Sequence, residues 1–145
     1  MSVEAIHQLM KLSNEFVANL DLHIANVIEH NEKLLQLNKA QLKASKNAKG
    51  GALINNITGS PNLSPGYAKR KGKTKPDIYD TGATFREMDL LFNEPSEYVI
   101  TSYTDYAKDL IEMYNDLFGI QDNKKAYAIT VPAMQEEYIK SVLNK

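Results

Sequence analysis

The chain has 145 residues, 43% of them hydrophobic and 24% charged, the ordinary balance of one globular domain. It contains no cysteine, which excludes a disulfide framework, a thiol nucleophile and a thiolate metal site. No run approaches the roughly 18 apolar residues of a membrane span, and the N-terminus lacks the basic-then-apolar plan of a signal peptide, so neither membrane insertion nor export is expected. The net charge of −1 hides a division: residues 34–76 carry +9 with no Asp or Glu, against −3 over residues 1–33 and −7 over residues 77–145. Such asymmetry marks a partner surface or a mobile arm.

Residues 1–46 read as a long N-terminal helical region. They contain no Gly or Pro, and Ile6, Leu9, Met10, Phe16, Val17, Leu20, Ile24, Val27, Ile28, Leu34 and Leu35 recur at steps of three and four. Ser2 is a candidate N-cap, with Glu4 in the first turn. Unbroken, the helix would run about 60 Å, so a break is expected at His30-Asn31-Glu32, where the apolar stripe lapses. Residues 47–76 hold five of the seven glycines and three of the five prolines, and read as a basic Gly/Pro-rich loop or arm, mobile in the isolated monomer.

Residues 77–145 read as an α+β body. Alternation in Phe85 to Phe92 and the β-branched, aromatic run Glu97 to Tyr103 predict a hairpin closed by Asn93-Glu94-Pro95-Ser96. Thr104 or Asp105 caps a predicted helix to Gly119 through Ala107, Leu110, Ile111, Tyr114, Leu117 and Phe118. Ala126 to Val131 predicts a third strand, and Pro132 the first turn of a last helix bearing Met134, Tyr138, Ile139, Val142 and Leu143. The expected architecture is one α+β domain: a long helical region, a basic arm, and a small antiparallel sheet with two packed helices in the order β-β-α-β-α.

Few motifs carry chemistry. Gly66 to Thr74 ends in Gly-Lys-Thr, but five residues separate Gly66 from Gly72, one more than a phosphate-binding loop allows, and prolines replace the flanking strand and helix. His7, His23 and His30 lack metal-ligand spacing and read as surface residues. The carboxylates Glu87, Asp89, Asp105, Asp109, Glu112 and Asp116 follow polar faces, and no pair stands out as acid and base. No nucleophile constellation emerges, so no enzyme activity, cofactor or metal is expected. The signal is the basic segment. Lys69, Arg70, Lys71, Lys73 and Lys75, beside Tyr67 and preceded by Lys46 and Lys49, suit either nucleic-acid phosphates or an acidic face of a neighbouring copy, and the bland alternative is a solvated linker.

From Tyr67-Ala68-Lys69-Arg70-Lys71-Gly72 through Lys75-Pro76-Asp77-Ile78-Tyr79-Asp80-Thr81-Gly82, and again at Val131-Pro132-Ala133, the sequence resembles the tail-completion and neck proteins of tailed bacteriophages, the virion morphogenesis or minor capsid proteins. The resemblance covers residues 65–145. The chain departs from it where Tyr106-Ala107 is followed only by Leu117-Phe118-Gly119 after a longer helical stretch, and in its long N-terminal region. The resemblance implies a structural virion protein, a subunit of the head–tail connector ring that joins the DNA-filled capsid to the tail. It further implies a homo-oligomeric ring, contact with portal, adaptor or tail proteins and with packaged DNA, and location in the virion after assembly in the host cytoplasm. The alternative is a nucleic-acid-binding module using residues 69–75. In both readings Tyr67, Lys69, Arg70, Lys71, Lys73, Lys75, Lys46 and Lys49 are the contacting residues.

Overall fold

In the computed structural model, which describes residues 2–79, 82–93 and 97–144, Ser2 accepts a hydrogen bond from the Ala5 N–H at 3.0 Å and starts helix α1, Val3–Ala18. The N-terminal region breaks twice. Asn19 turns its amide onto the Glu15 carbonyl at 2.9 Å, ending α1 and separating it from α2, Leu20–Ile28, an interruption the apolar periodicity does not reveal. The expected break at 30–32 is present: His30 has φ 57°, and Asn31 accepts from the Leu34 N–H at 3.1 Å to cap α3, Glu32–Lys43.

The first part of the segment expected to be a mobile loop or arm is docked on the body. The Asn47 side chain accepts from the N–H groups of Lys49 and Gly51, and Leu53, 1% exposed, plugs the core. Asn56 donates from its backbone to the Met113 carbonyl at 2.8 Å and from its amide to the Glu112 carbonyl at 3.0 Å. Polar side chains thus supply backbone partners that composition alone does not disclose. Pro65 opens a short helix, α4, Pro65–Lys71, which Gly72 ends at φ 71°.

Asp80 and Thr81 of the Asp-Thr-Gly step lie outside the described residues, as does most of the expected hairpin turn. Phe85 belongs to a helical turn, α5, Ala83–Arg86, and not to the strand that follows it. Strands β1, Met88–Asn93, and β2, Glu97–Ser102, pair antiparallel with Met88 opposite Ser102 and Asn93 opposite Glu97. Helix α6, Ala107–Met113, is shorter than expected and lacks a side-chain cap; Tyr114 is extended. The expected third strand at Ala126–Val131 is helical. Asp122 accepts from the Lys125 N–H at 3.1 Å and starts α7, Asn123–Tyr138, within which Pro132 lies, instead of opening the helix. Ala126 and Ile129, three apart, pack on the core, so helical burial overrides the strand preference of the Ile-Thr-Val run. A π-helical stretch, Ile139–Leu143, closes the chain and buries Val142. The molecule is therefore α+β, but among the described residues its last elements run β-β-α-α around one two-stranded sheet.

The core gathers on α3. Leu34, Leu35 and Leu42 meet Leu53, Phe85, Met88, Leu90, Ile100, Tyr114 and Leu117. Among them sits Asn38, with no exposed surface: its amide donates to the Leu117 carbonyl at 3.1 Å and accepts from the Gly119 N–H at 3.2 Å. Gln41, one turn on, donates to the Gly119 carbonyl at 2.9 Å and accepts from the Gln121 N–H at 2.9 Å. The N-terminal helices are tied on by carboxylates. His23 and Asn26 meet Glu137 at 3.0 and 3.2 Å, and the His23 ring stacks on Phe16 at 4.2 Å. His30 meets Asp89 at 2.7 Å. Two of the three histidines expected to be simple surface residues thus join helices to the body.

Two outcomes are expected. Asn38→Leu removes the partners of two backbone groups and should cost about 2–4 kcal/mol in denaturant unfolding, whereas exposed Asn14→Leu should cost less than about 0.5 kcal/mol. The hydrogen bond and charge of Asp89, with a smaller contribution from Glu29, raise the His30 pKa, so its stabilisation is complete below the ordinary 6.5 and is lost as pH rises through the folded value. Burial works to raise the Asp89 carboxyl, but His30, the Leu90 N–H and Tyr103 together lower it, so its share is lost as pH falls through that depressed value. Thermal melts should therefore peak between the carboxylate and histidine ranges, and His30→Gln should flatten the alkaline side.

Candidate partner-contact surface

The basic segment does not present all its cations to solvent. The backbone turns back after α4, which carries Asp77 under Lys71 and Lys73. The Lys71 ammonium donates to Asp77 Oδ1 at 3.2 Å and to the Tyr79 carbonyl at 2.9 Å. Lys73 donates to Asp77 Oδ2, and the Tyr79 N–H donates to Oδ1 at 3.1 Å. Asp77 itself is 2% exposed. Burial pushes its carboxyl up, but Lys73, the Tyr79 N–H and Lys71 together outweigh burial and hold it below the usual range. A buried carboxylate with both oxygens engaged is a structural anchor; it is not poised to abstract a proton.

The other cations divide by role. Arg70 lies over the Tyr67 ring at 5.2 Å, and Lys71 faces the same ring at 5.5 Å. Lys43 sits over Tyr79 and Phe85 at 5.3 and 5.5 Å. Lys49 meets Asp116 at 3.5 Å in an exposed pair of little energetic weight. Lys46, Lys69 and Lys75 are exposed and have no acidic partner among the described residues. Lys69, Arg70 and Lys75 are therefore the exposed cations of the 69–75 cluster without an acidic partner among the described residues, Lys73 being exposed but paired with Asp77, while Lys46 and Lys49 stand on the separate turn after α3.

A cavity of about 670 Å³ opens beside the cluster, between α4, the Asp77–Ile78 step and α6, with Tyr67, Lys71, Thr84, Tyr106 and Tyr114 in its wall. Burial, with a smaller contribution from Tyr67, raises the Tyr114 phenol above its ordinary pKa. The sequence signals Tyr67 by its place among cations, but nothing in local pattern brings it to Tyr106 and Tyr114, which are about 40 residues away. The carboxylates Asp105, Asp109 and Glu112 are exposed on α6 and the residues leading into it. Among the described residues no group of three or more His, Asp or Glu could hold a metal ion, and no helix is long and apolar enough to cross a membrane.

A second apolar feature lies on α1. Phe16 is its only buried residue, whereas Val3 and Val17 are each 67% exposed, and Ile6 and Met10 are exposed between them. Spaced three, four and seven apart, these four side chains form one stripe.

Asp77→Asn should cost about 1–3 kcal/mol, because Lys71 and Lys73 lose their counter-charge while keeping partial access to water. The folded Asp77 carboxyl is depressed, so the stabilisation is present above the ordinary carboxylate pKa and lost as pH falls through the folded value. In acid titrations followed by circular dichroism, the variant should show a shallower loss of stability than the parent chain.

Compared with family models, curated proteins and solved structures, the chain gives no match.

Proposed function

We propose that the protein is a structural bacteriophage virion subunit, a component of a head–tail connector ring that joins the DNA-filled capsid to the tail. The observation that carries an assembly role is the uncovered apolar stripe of α1, Val3, Ile6, Met10 and Val17, on a helix that buries one side chain in its own body. The charge division supports it: Lys69, Arg70 and Lys75 face outward from the basic segment, and Asp105, Asp109 and Glu112 face outward from the acidic body. A head-to-tail ring needs two complementary surfaces on one subunit, and these are candidates for that pair. The assignment to a connector, in place of another assembly, rests on the resemblance over residues 65–145. In this reading the protein has no catalytic site, its partners are copies of itself and the portal, adaptor or tail proteins, and it ends in the virion after assembly in the host cytoplasm.

A second reading, binding of nucleic acid through residues 69–75, is favoured by the outward Lys69, Arg70 and Lys75 beside Tyr67. Two experiments separate the readings. Mass photometry with the ring partners should show a cyclic oligomer, and reversal of Lys69, Arg70 and Lys75 to Glu should reduce it by about tenfold or more while leaving the melting curve unchanged. Persistent monomers under every assembly condition overturn the connector proposal. Nucleic-acid binding by the same three cations predicts a slope of about −3 in log affinity against log salt, and absence of duplex binding at about 50 mM salt eliminates it.

A further inference from the structure

The two strands differ in what covers their outer edges. The bond from the Tyr103 N–H to the Glu87 carbonyl at 3.0 Å fixes the phase of the ladder: odd-numbered residues of β2 turn their backbone groups to β1, so Tyr98, Ile100 and Ser102 turn theirs away. The same phase turns Leu90 outward on β1, and there both backbone groups are taken. Its carbonyl accepts from the His30 N–H at 2.8 Å, and its N–H donates to Asp89 Oδ1 at 2.8 Å, the same oxygen that the His30 ring holds. The turn between α2 and α3 therefore seals β1 at its centre. On β2, among the described residues, no partner meets the outward backbone groups of Tyr98, Ile100 or Ser102, and no helix packs along it as α2 and α3 pack on β1.

A row of outward amides and carbonyls is satisfied by another strand. A second copy of this chain cannot offer the centre of β1, which His30 and Asp89 occupy, but it can offer β2. We propose that two copies pair β2 with β2, antiparallel about a two-fold axis at Ile100, to make one four-stranded sheet. In this register Ile100 faces Ile100 of the second copy and Tyr98 faces its Ser102. Glu97, the one charged residue of the strand, faces Tyr103 of the second copy and not its own counterpart, so no like charges meet. Even-numbered residues stay with even-numbered ones, which keeps the buried faces of both hairpins on one side of the sheet. The contact is isologous and saturates with two copies, so it does not rest on the connector reading; ring contacts would use other surfaces, and either proposal can fail without the other.

Three measurements on the full chain test the pairing. Hydrogen exchange at low and high micromolar concentration should slow about tenfold or more at the Tyr98, Ile100 and Ser102 amides as concentration rises; concentration-independent exchange at these three overturns the proposal. Tyr98→Pro removes an N–H that β1 does not use, at an exposed edge position that tolerates proline. It should shift the sedimentation of the wild-type dimer to that of a monomer with the melting curve retained, and a folded variant that still dimerises overturns the assignment. Val99 and Thr101 stand opposite one another across the axis, and the chain has no cysteine of its own. Val99→Cys with Thr101→Cys should therefore oxidise to a disulfide-linked dimer, and recovery of monomer alone overturns the register.

Discussion

The amide of Asn38 is the constraint on which the arrangement turns. A polar side chain without exposed surface must find hydrogen-bond partners inside the protein, and Asn38 finds one for its nitrogen in the Leu117 carbonyl and one for its oxygen in the Gly119 N–H, groups about 80 residues further along the chain. Because those partners are backbone, they fix the path of the Leu117–Gly119 turn and not merely a side chain. Gln41 grips the same turn at Gly119 and Gln121, so one face of α3 positions the start of α7. Gly119 then has to be bare: a Cβ there would lie 2.8 Å from that of Ala48, which the docked segment brings across it. Helix, loop and arm are locked by one small set of contacts.

Much of this fold could be read from the residues. The N-terminal helical stripe, the break at His30–Glu32 and the hairpin follow from periodicity and from residues that cap or break helices. Ala126–Val131 is helical although Tyr, Ile, Thr and Val favour strands locally, because the decisive facts lie outside the run: Asp122 caps the segment and Ala126 and Ile129 find α3 and its neighbours to pack on. Pro132 points the same misleading way, since the position that most often suits proline in a helix is the first turn, and here it is interior. The docking of residues 47–64 was hidden for a similar reason. Asn47 and Asn56 look like loop residues in sequence, and only their partners make them anchors.

The candidate surface was legible as a charge count but not as a charge distribution. Nothing in Lys69 to Lys75 distinguishes a cation that faces water from one that faces a carboxylate six or four residues away. Asp77 makes that distinction by lying buried where the chain turns back. The cluster's net field is thus smaller than its sequence suggests, and Tyr67, singled out as a neighbour of cations, serves as a platform for Arg70 and Lys71. The sealed edge of β1 was not legible at all, because it joins a positive-φ histidine to a strand nearly 60 residues away.

The docking of residues 47–64 also bears on the thermodynamics of association. A segment that orders only on its partner loses conformational entropy at that moment and buries its own apolar surface in the same step, giving a large negative heat-capacity change. Here Leu53 is already in the core and the Asn56 bonds already made, so that ordering belongs to folding of the subunit. A partner meets a preorganised surface, and the heat-capacity change of binding reports the area of the interface alone.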